Sequence, residues 1–447
     1  MFRNLKVEHP APALRRWKYK HTIKQSKRNR MQIKTILNRV QKFKSFVYGT
    51  VRWIDGASVP TLEVEIQPRL NSRPECSSCG CKRPGYDTLP ERRFEYIPMW
   101  GNKVFFVYAP RRVECRDCGV RVERMPWVEG KHRLTETYAW FLAGWAKRLS
   151  WKEVAEAFRT TWDHVFCSVE RAVLWGREHQ DLSGIEAIGV DEIAWQRGHR
   201  YLTLVYQSDG HCKRLLWIGE KRTVKTLLRF FRWFGKERGQ ALKFICSDMW
   251  KPYLKVIAKK AGQAIHILDR FHIMSHLGKA IDKVRAQEVR ELKEKGYEPI
   301  LTKTRWLLLK RPENLTDKQQ TRLVDLLRYN LRSVRSYLLK EEFQFFWSYI
   351  SPYWAGQFLD KWCTKTMRSK IDPMKKVARM LRRHRPLLLN WFRAKKQFSS
   401  GIIEGFNTKA KLTTRKAYGF RTYHAIEIAL YHTLGALPVP KTTHEFF

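Results

Sequence analysis

The spacing of apolar residues changes along this chain, and the changes mark out its elements. VPTLEVEIQP (59–68) alternates apolar and polar positions, which predicts a strand with one buried face; RRFEYIPM (92–99) and KVFFVYAPRRVEC (103–115) read the same way. Upstream, QIKTILNRVQKF (32–43) has helical spacing. From residue 131 the period becomes helical. LTETYAWFLAGWAKRL (134–149) is followed by Ser150, which with Glu153 forms a capping-box signature opening WKEVAEAF, and Thr160 and Thr161 precede a third helix, WDHVFCSVERAV. Residues 185–270 alternate strand and helix. IEAIGVDEIAW (185–195) predicts a buried strand with RYLTLVYQ and CKRLLWIG as hairpin neighbours, and LKFICSD (242–248) predicts a strand leading into the helix MWKPYLKVIAKKA. Residues 276–396 are long, basic and helical with few strand signals, and a short helical tail follows. There is no internal repeat and no low-complexity tract.

Charge adds what periodicity cannot. Lys and Arg number 87 against 42 Asp and Glu in 447 residues, a formal net charge of +45, far more than solubility requires. A polyanionic partner follows, and nucleic acid fits better than a membrane. No apolar run approaches the ~18 residues of a spanning helix, and the N-terminus lacks the apolar core of a signal peptide. The expected location is therefore the cytoplasm, against the nucleoid. The first 50 residues carry fourteen Lys/Arg and a single acid, Glu8, as a solvated arm or a DNA-backbone contact would.

Nine cysteines without an export signal should stay reduced, and five of them fall between residues 76 and 118. Cys76-Ser-Ser-Cys79 and Cys115-Arg-Asp-Cys118 are two C-x2-C knuckles, each followed by glycine (Gly80, Gly119), which lets both thiolates of a tight turn face one ion. Two knuckles supply a closed four-thiolate shell, so the expectation is one structural Zn²⁺ in a zinc ribbon whose intervening strands bring the knuckles together. Cys81 is spare, and Cys167, Cys212, Cys246 and Cys363 read as buried and inert. The three helices that follow fit a helix-turn-helix that reads the major groove, though small bundles of this pattern also serve dimerisation alone.

Three acids stand out. Asp191 falls inside an apolar strand, where an unpaired carboxylate is costly unless it meets a cation or faces a cleft. Asp248 ends a strand, with N-capping of the next helix as its alternative role. Glu404 lies about one turn into a helix that Ser399 or Ser400 could cap, where it would also suit the helix dipole. Acids on two strands and a far helix can converge on two Mg²⁺ (or Mn²⁺) ions about 3.5–4 Å apart. Around Glu404 the segment KAKLTTRKAYGFR supplies Lys409, Lys411, Arg415, Lys416 and Arg421 without an acid, and residues 361–396 hold thirteen Lys/Arg against Asp372. Such one-sided charge suits phosphate contact, with a solvated basic face as the alternative. His199 and Arg200 are further phosphate candidates. Trp306 could stack on an unpaired base or pack in a core. Asp269 is the rival of Asp248, and His272 and His276, four apart, read as packing or DNA contact.

Taken in order, the cysteine knuckles, the three-helix pattern, GVDEIAWQRGHRY, CSDMWKPY, ILDRFHI, TRWLLLK and GIIEGFNTKAKL resemble the ISL3 family of bacterial insertion-sequence transposases over about residues 70–435. The resemblance implies a multidomain α/β protein: a basic arm (1–70), a zinc ribbon (71–130), a helix-turn-helix (131–180), an RNase H-like catalytic core in two parts (181–275 and 397–436) split by a basic helical insertion (276–396), and a tail (437–447). It implies a DDE triad of Asp191, Asp248 and Glu404 that cuts and joins double-stranded DNA at transposon ends and target, with the protein working as a homodimer or larger synaptic complex. A basic leader of some 70 residues is longer than that pattern requires. The rivals are a non-catalytic zinc-dependent DNA-binding regulator and an RNase H-like nuclease without a joining step.

Overall fold

Leu62, Val64 and Ile66 alternate along their strand and all three side chains are buried, because a strand turns every second residue to the same face. They belong to the first of two units into which the chain divides, Met1–Glu136 and Thr137–Phe447. The computed structural model describes residues 32–440 apart from 55, 57–58, 197, 199, 298–299, 396–400 and 418.

In the first unit, helix α1 (Ile33–Val40) precedes seven strands: β1 (Phe46–Ile54), β2 (Thr61–Pro68), β3 (Gly85–Thr88), β4 (Arg92–Met99), β5 (Asn102–Tyr108), β6 (Arg111–Cys115) and β7 (Gly119–Val122). They form two sheets, ordered β1-β2-β5-β4 and β3-β6-β7. The larger sheet closes over Trp127, whose ring lies edge-on to those of Phe46, Phe94 and Tyr108 at 4.9–6.1 Å between centroids. Such a cluster of fully desolvated rings supplies most of a small core. On the opposite face of β2, Glu63 is buried between Arg52 (2.8 Å) and Arg93 (2.5 Å), so its charge is compensated.

Two features of this unit differ from the sequence expectation. Residues 33–68, expected within a basic arm, supply α1 and two strands of the larger sheet. The strands expected to join the cysteine knuckles, β4 and β5, pair with that sheet instead: β5 runs parallel to β2, and the short ribbon β3-β6-β7 alone carries the knuckles. The four-stranded sheet wins β4 and β5 because Phe94, Tyr96, Val104 and Phe106 find a buried face there.

The second unit begins with α2 (Glu136–Ala146), α3 (Trp151–Ala157) and α4 (Trp162–Glu178), with the Ser150–Glu153 capping box present as expected. Strands β8 (Ala187–Gln196), β9 (Arg200–Ser208) and β10 (Lys213–Glu220) form an antiparallel meander. Helices α5 (Val224–Phe234) and α6 (Lys236–Ala241), strand β11 (Phe244–Ser247), α7 (Lys251–Lys260) and β12 (Ile265–Leu268) follow, and the sheet order is β10-β9-β8-β11-β12 with β11 parallel to both neighbours. The remaining helices are α8 (Arg270–Glu294), α9 (Arg305–Leu309), α10 (Asp317–Leu327), α11 (Arg332–Gln344), α12 (Pro352–Arg368), α13 (Asp372–Arg383), α14 (Arg385–Arg393), α15 (Gly401–Lys416) and α16 (Tyr423–Leu434).

Val190, Val205 and Ile245 turn to one side of the sheet and pack with Phe230, Phe234 and Tyr253 of α5 and α7. The helices after β12 do not form a separate lobe. Ile267 and Leu268 of β12 share one apolar core with α8 and α11–α14, and Asn390 of α14 donates to the His266 carbonyl at 2.8 Å. None of the described helices is long and apolar enough to cross a membrane.

Candidate active site and metal centre

Strand β8 sends alternate side chains to opposite faces, and both neighbours of its centre matter. Gly189 and Asp191 face α15. A Cβ placed on Gly189 would lie 2.3 Å from Ile403 Cδ1, so the missing side chain is what lets α15 sit against the strand. Asn407, one turn after Glu404, donates through Nδ2 to Asp191 Oδ2 (2.5 Å), and Tyr206 OH donates to Asn407 Oδ1 (2.9 Å). Asp191 Oδ1 accepts from the Glu192 N–H at 2.8 Å. Burial nonetheless raises the Asp191 pKa above the usual carboxylate value, with His272 opposing and Asp269 adding to the rise.

Glu192 points to the other face. There Arg222 bridges Glu192 Oε1 (3.0 Å) and Asp248 Oδ2 (2.6 Å) while its guanidinium lies 4.6 Å over the Trp250 ring. Burial first, then the Asp248 charge, push Glu192 up to about 8. The register pairs Ser247 of β11 with Val190 of β8, so Asp248 follows the strand end level with Asp191. Asp248 accepts from the Trp250 N–H at 2.9 Å, but α7 starts at Lys251 with Trp250 as its N-cap, so the capping alternative for Asp248 does not hold.

Capping falls to the rival acid. Asp269, at the end of β12, accepts from Phe271 N–H (2.7 Å) as the N-cap of α8 and pairs with His272 Nδ1 (3.0 Å). The hydrogen bond to Asp269, with the charges of Asp191 and Asp248 behind it, raises His272 to about 9 against desolvation, so it stands as an imidazolium among three aspartates. Sequence reasoning missed this placement of His272, and also missed Glu192, Arg222 and Asn407. The Asp-Glu pair inside an apolar strand was a usable signal for Glu192, whereas Arg222 and Asn407 carry none without the fold.

Glu404 occupies the first turn of α15, exposed, with no hydrogen bond or ion pair among the described residues. Its expected caps, Ser399 and Ser400, lie outside the described residues. The structure thus gathers Asp191, Glu192, Asp248 and Asp269, with Arg222 and His272 among them, where β11 and β12 end beside the middle of β8, and seats the helix of Glu404 on the same strand. It does not draw Asp191, Asp248 and Glu404 into ligand contact with each other.

Lys409, Lys411, Arg415, Lys416 and Arg421 are all exposed on α15 and the loop after it; Lys416 also donates to the Arg148 carbonyl. Arg200 is exposed and donates to Gln196 (2.7 Å), while His199 lies outside the described residues. Trp306 is 58% exposed under the guanidinium of Arg305, which removes its core-packing alternative: α9 turns Leu307 and Leu308 inward instead. Helix α4 is engaged within its own unit, through Arg177–Glu427 (3.5 Å), His424–Glu170 (2.5 Å) and the close approach of Leu437 to Gly176. It carries Asp163, Glu170 and Glu178 against Arg171 and Arg177, so the basic excess of the chain is not concentrated there.

In the first unit, the sulfurs of Cys76, Cys79, Cys115 and Cys118 lie within 4.8 Å of one another, the only such convergence of His, Cys, Asp or Glu among the described residues. Cys79 Sγ and Cys115 Sγ are 3.6 Å apart. A tetrahedron with Zn–S bonds of about 2.3 Å has sulfurs about 3.8 Å apart, so the set fits that ion. Gly80 and Gly119 both adopt φ +73°, the left-handed conformation the knuckle turns require. The Cys79 backbone N–H lowers the Cys76 thiol; at Cys115 burial raises the pKa, but N–H donation from Asp117 and Cys118 outweighs it and lowers the thiol to about 6.

Comparison with known proteins bears on this arrangement. Residues 188–430 match the family described as Transposase, of the DDE ISL3 type. The transposase for insertion sequence element IS1001 of Bordetella parapertussis is 30% identical over 365 residues, covering 81% of this chain and 88% of its own. The transposase for insertion sequence element IS1557 of Mycobacterium tuberculosis is 30% identical over 419 residues, covering 87% and 92%.

Proposed function

The chain belongs to the ISL3 family of DDE transposases, and from that premise we propose that it binds the inverted ends of its own insertion sequence and cuts and joins DNA there with Asp191, Asp248 and Glu404. The observation that carries this reading is the seating of α15 on β8. Asn407 holds Asp191 and Ile403 fills the space over Gly189, so the helix bearing Glu404 rests on the strand bearing the first acid, with Asp248 beside it.

The donors are hard carboxylate oxygens, and Arg222 and His272 already sit among the acids as local cations, which is what a site demanding positive charge looks like. Asp191, Asp248 and Glu404 would hold two Mg²⁺ or Mn²⁺ ions. When bound, these activate an attacking hydroxyl and stabilise the leaving oxygen. The protein contributes position: β8 and β11 are fixed by the sheet, and the RNase H-like core orients their carboxylates before substrate arrives. Lys409, Lys411, Arg415 and Arg421 line the approach to Glu404 and contact phosphates. A second basic track runs along α7, where Lys251, Lys255 and Lys259 face Arg232 and Lys236 across a groove of about 1030 Å³ with no acid in its lining. Trp306, His199 and Arg200 are further DNA contacts. Cys76, Cys79, Cys115 and Cys118 hold one structural zinc, and α2–α4 read DNA through the surface that α16 leaves open.

The test uses labelled element ends in Mg²⁺. Asp191→Asn, Asp248→Asn and Glu404→Gln should bind ends like the parent yet give neither nicked nor joined product, a loss of at least a hundredfold at several kcal/mol per metal contact. Asp269→Asn should keep measurable cleavage. Activity in Asp248→Asn with none in Asp269→Asn would reassign the second ligand. A parent that binds ends but never cuts would be a regulator, and one that cuts without joining would be a nuclease.

A further inference from the structure

Within the second unit, α2, α3 and the start of α4 meet α15 and α16 around a cavity of about 1000 Å³, large for a ligand site. One side of it is aromatic. Trp151 and Trp162 both line it with their rings 5.7 Å apart, and Phe420 closes against Trp151 at 5.8 Å. Trp162 also lies flat on Phe166, 4° from parallel at 5.3 Å, and still remains 45% exposed. A ring held flat by one neighbour and open to solvent elsewhere is a platform for another flat ring. His432 of α16 adds a polar contact to the same wall. It is buried and donates to the Ala143 carbonyl, and its Nε2 has no hydrogen bond among the described residues. Burial keeps this ring neutral, so Nε2 is an acceptor without a donor, which an N–H of a bound molecule would satisfy.

Charge decides what kind of molecule that is. Lys147, Lys152, Arg415 and Lys416 line the cavity against Glu153 and Glu156. Lys152 pairs with Glu156 at 3.7 Å, while Glu153 accepts from the Ser150 N–H in the capping box and feels the Lys416 charge. Lys147 and Arg415 are left without an acid partner among the described residues, so the ligand is an anion as well as an aromatic N–H donor. A nucleotide is all three, because every base has a flat face and an N–H and carries a phosphate beside it. Arg415 and Lys416 belong also to the basic row of α15, so DNA held along that row passes the mouth of the cavity. Bases inside a duplex are stacked and paired and cannot enter; an unpaired one can.

We propose that this cavity holds one unpaired nucleotide of bound DNA, with its base stacked on Trp162 and Trp151 and its phosphate on Lys147 and Arg415. The site rests on the reading that the chain binds DNA and is independent of whether it cuts. It is separate from Trp306, which stands on α9. Arg415 follows Glu404 on the same helix, about 16 Å along it at 1.5 Å per residue, so the nucleotide lies within a few base steps of the proposed cut.

Three DNAs titrated into the full chain at one salt concentration test this: a duplex with a single bulged thymidine, the same duplex with an abasic bulge, and the fully paired duplex. The two bulges bend DNA alike and differ only in the base. We expect the bulged base to bind about tenfold tighter than the abasic bulge, and Trp162→Ala to bring that ratio to about one, whatever it does to duplex affinity, with parental circular dichroism. In the unaltered chain, 5-iodouracil placed in the bulge should crosslink on irradiation to the peptide that carries Trp151 or Trp162, a result that needs no variant to fold. A parental ratio of about one overturns the proposal, as does a folded Trp162→Ala that keeps the parental ratio, or crosslinking to Trp306 alone. Binding of dAMP by the parent, lost in Trp162→Ala and without preference among the three DNAs, would make the cavity a free-nucleotide site and equally overturn it. A parent that binds no DNA at all removes the DNA-binding reading too, whereas one that binds all three DNAs equally removes only this site.

Discussion

Asn407 shows what one uncharged side chain contributes to an acidic site. Its amide holds Asp191 in one rotamer and its carbonyl is fixed in turn by Tyr206, so the orientation of the carboxylate is set through two hydrogen bonds. A hydrogen bond to a charged group is worth about 1.5–3 kcal/mol. Asn407→Ala should therefore lower end cleavage about ten- to hundredfold with DNA affinity unchanged. Tyr206→Phe, which leaves the amide donating, should cost much less. Parental cleavage by Asn407→Ala in a gel assay would show that Asp191 needs no such support. Asp191 could be picked from the sequence because a carboxylate in an apolar strand is conspicuous; Asn407 could not, because an asparagine on a polar helix is ordinary until its partner is known.

Elements were legible in kind more than in company. β4 and β5 are strands as their alternation predicts, yet they extend the sheet of β1 and β2, with β5 beside β2 and β4 beside β5, and leave the cysteine ribbon to β3, β6 and β7. Alternation specifies a face to bury and says nothing about which strand lies alongside. The ribbon that remains buries little more than Cys76, Cys115 and Val113, too small a core to persist alone. Removing metal with a chelator should strip amide-exchange protection from 74–88 and 111–122 while β1, β2, β4 and β5 around Trp127 keep theirs. Unchanged protection of β3, β6 and β7 in metal-free protein would deny the metal a structural role.

Acid and base should act on the second unit from opposite sides. His266 and His432 are buried, and burial lowers them to about 4 and about 3. Their folded pKa values lie below the unfolded value, so unfolding takes up protons as pH falls through about 6.5. Stability is complete above that pH and declines below it, by about 2 kcal/mol per histidine at pH 5. His272 is raised to about 9, so its contribution is complete below about 6.5 and is lost as pH rises through 9. Urea unfolding at pH 7.5 and 5 should show the acid loss, with His266→Gln or His432→Gln reducing it. A flat profile between those values would mean the two rings find water or partners when charged.

The sequence by itself determined the charge balance that demands a polyanion, the knuckle spacing that brings four thiolates together, the capping box of α3, and the strand that carries Asp191, since each depends on residues close together in the chain. Only the tertiary structure decided that β4 and β5 leave the ribbon, that Asp269 caps a helix while Asp248 shares Arg222 with Glu192, that His272 joins the acids, and that Trp306 is exposed. These choices depend on which distant surfaces exclude water together. Local pattern sets how a segment folds, but competition among all buried faces sets what it folds against.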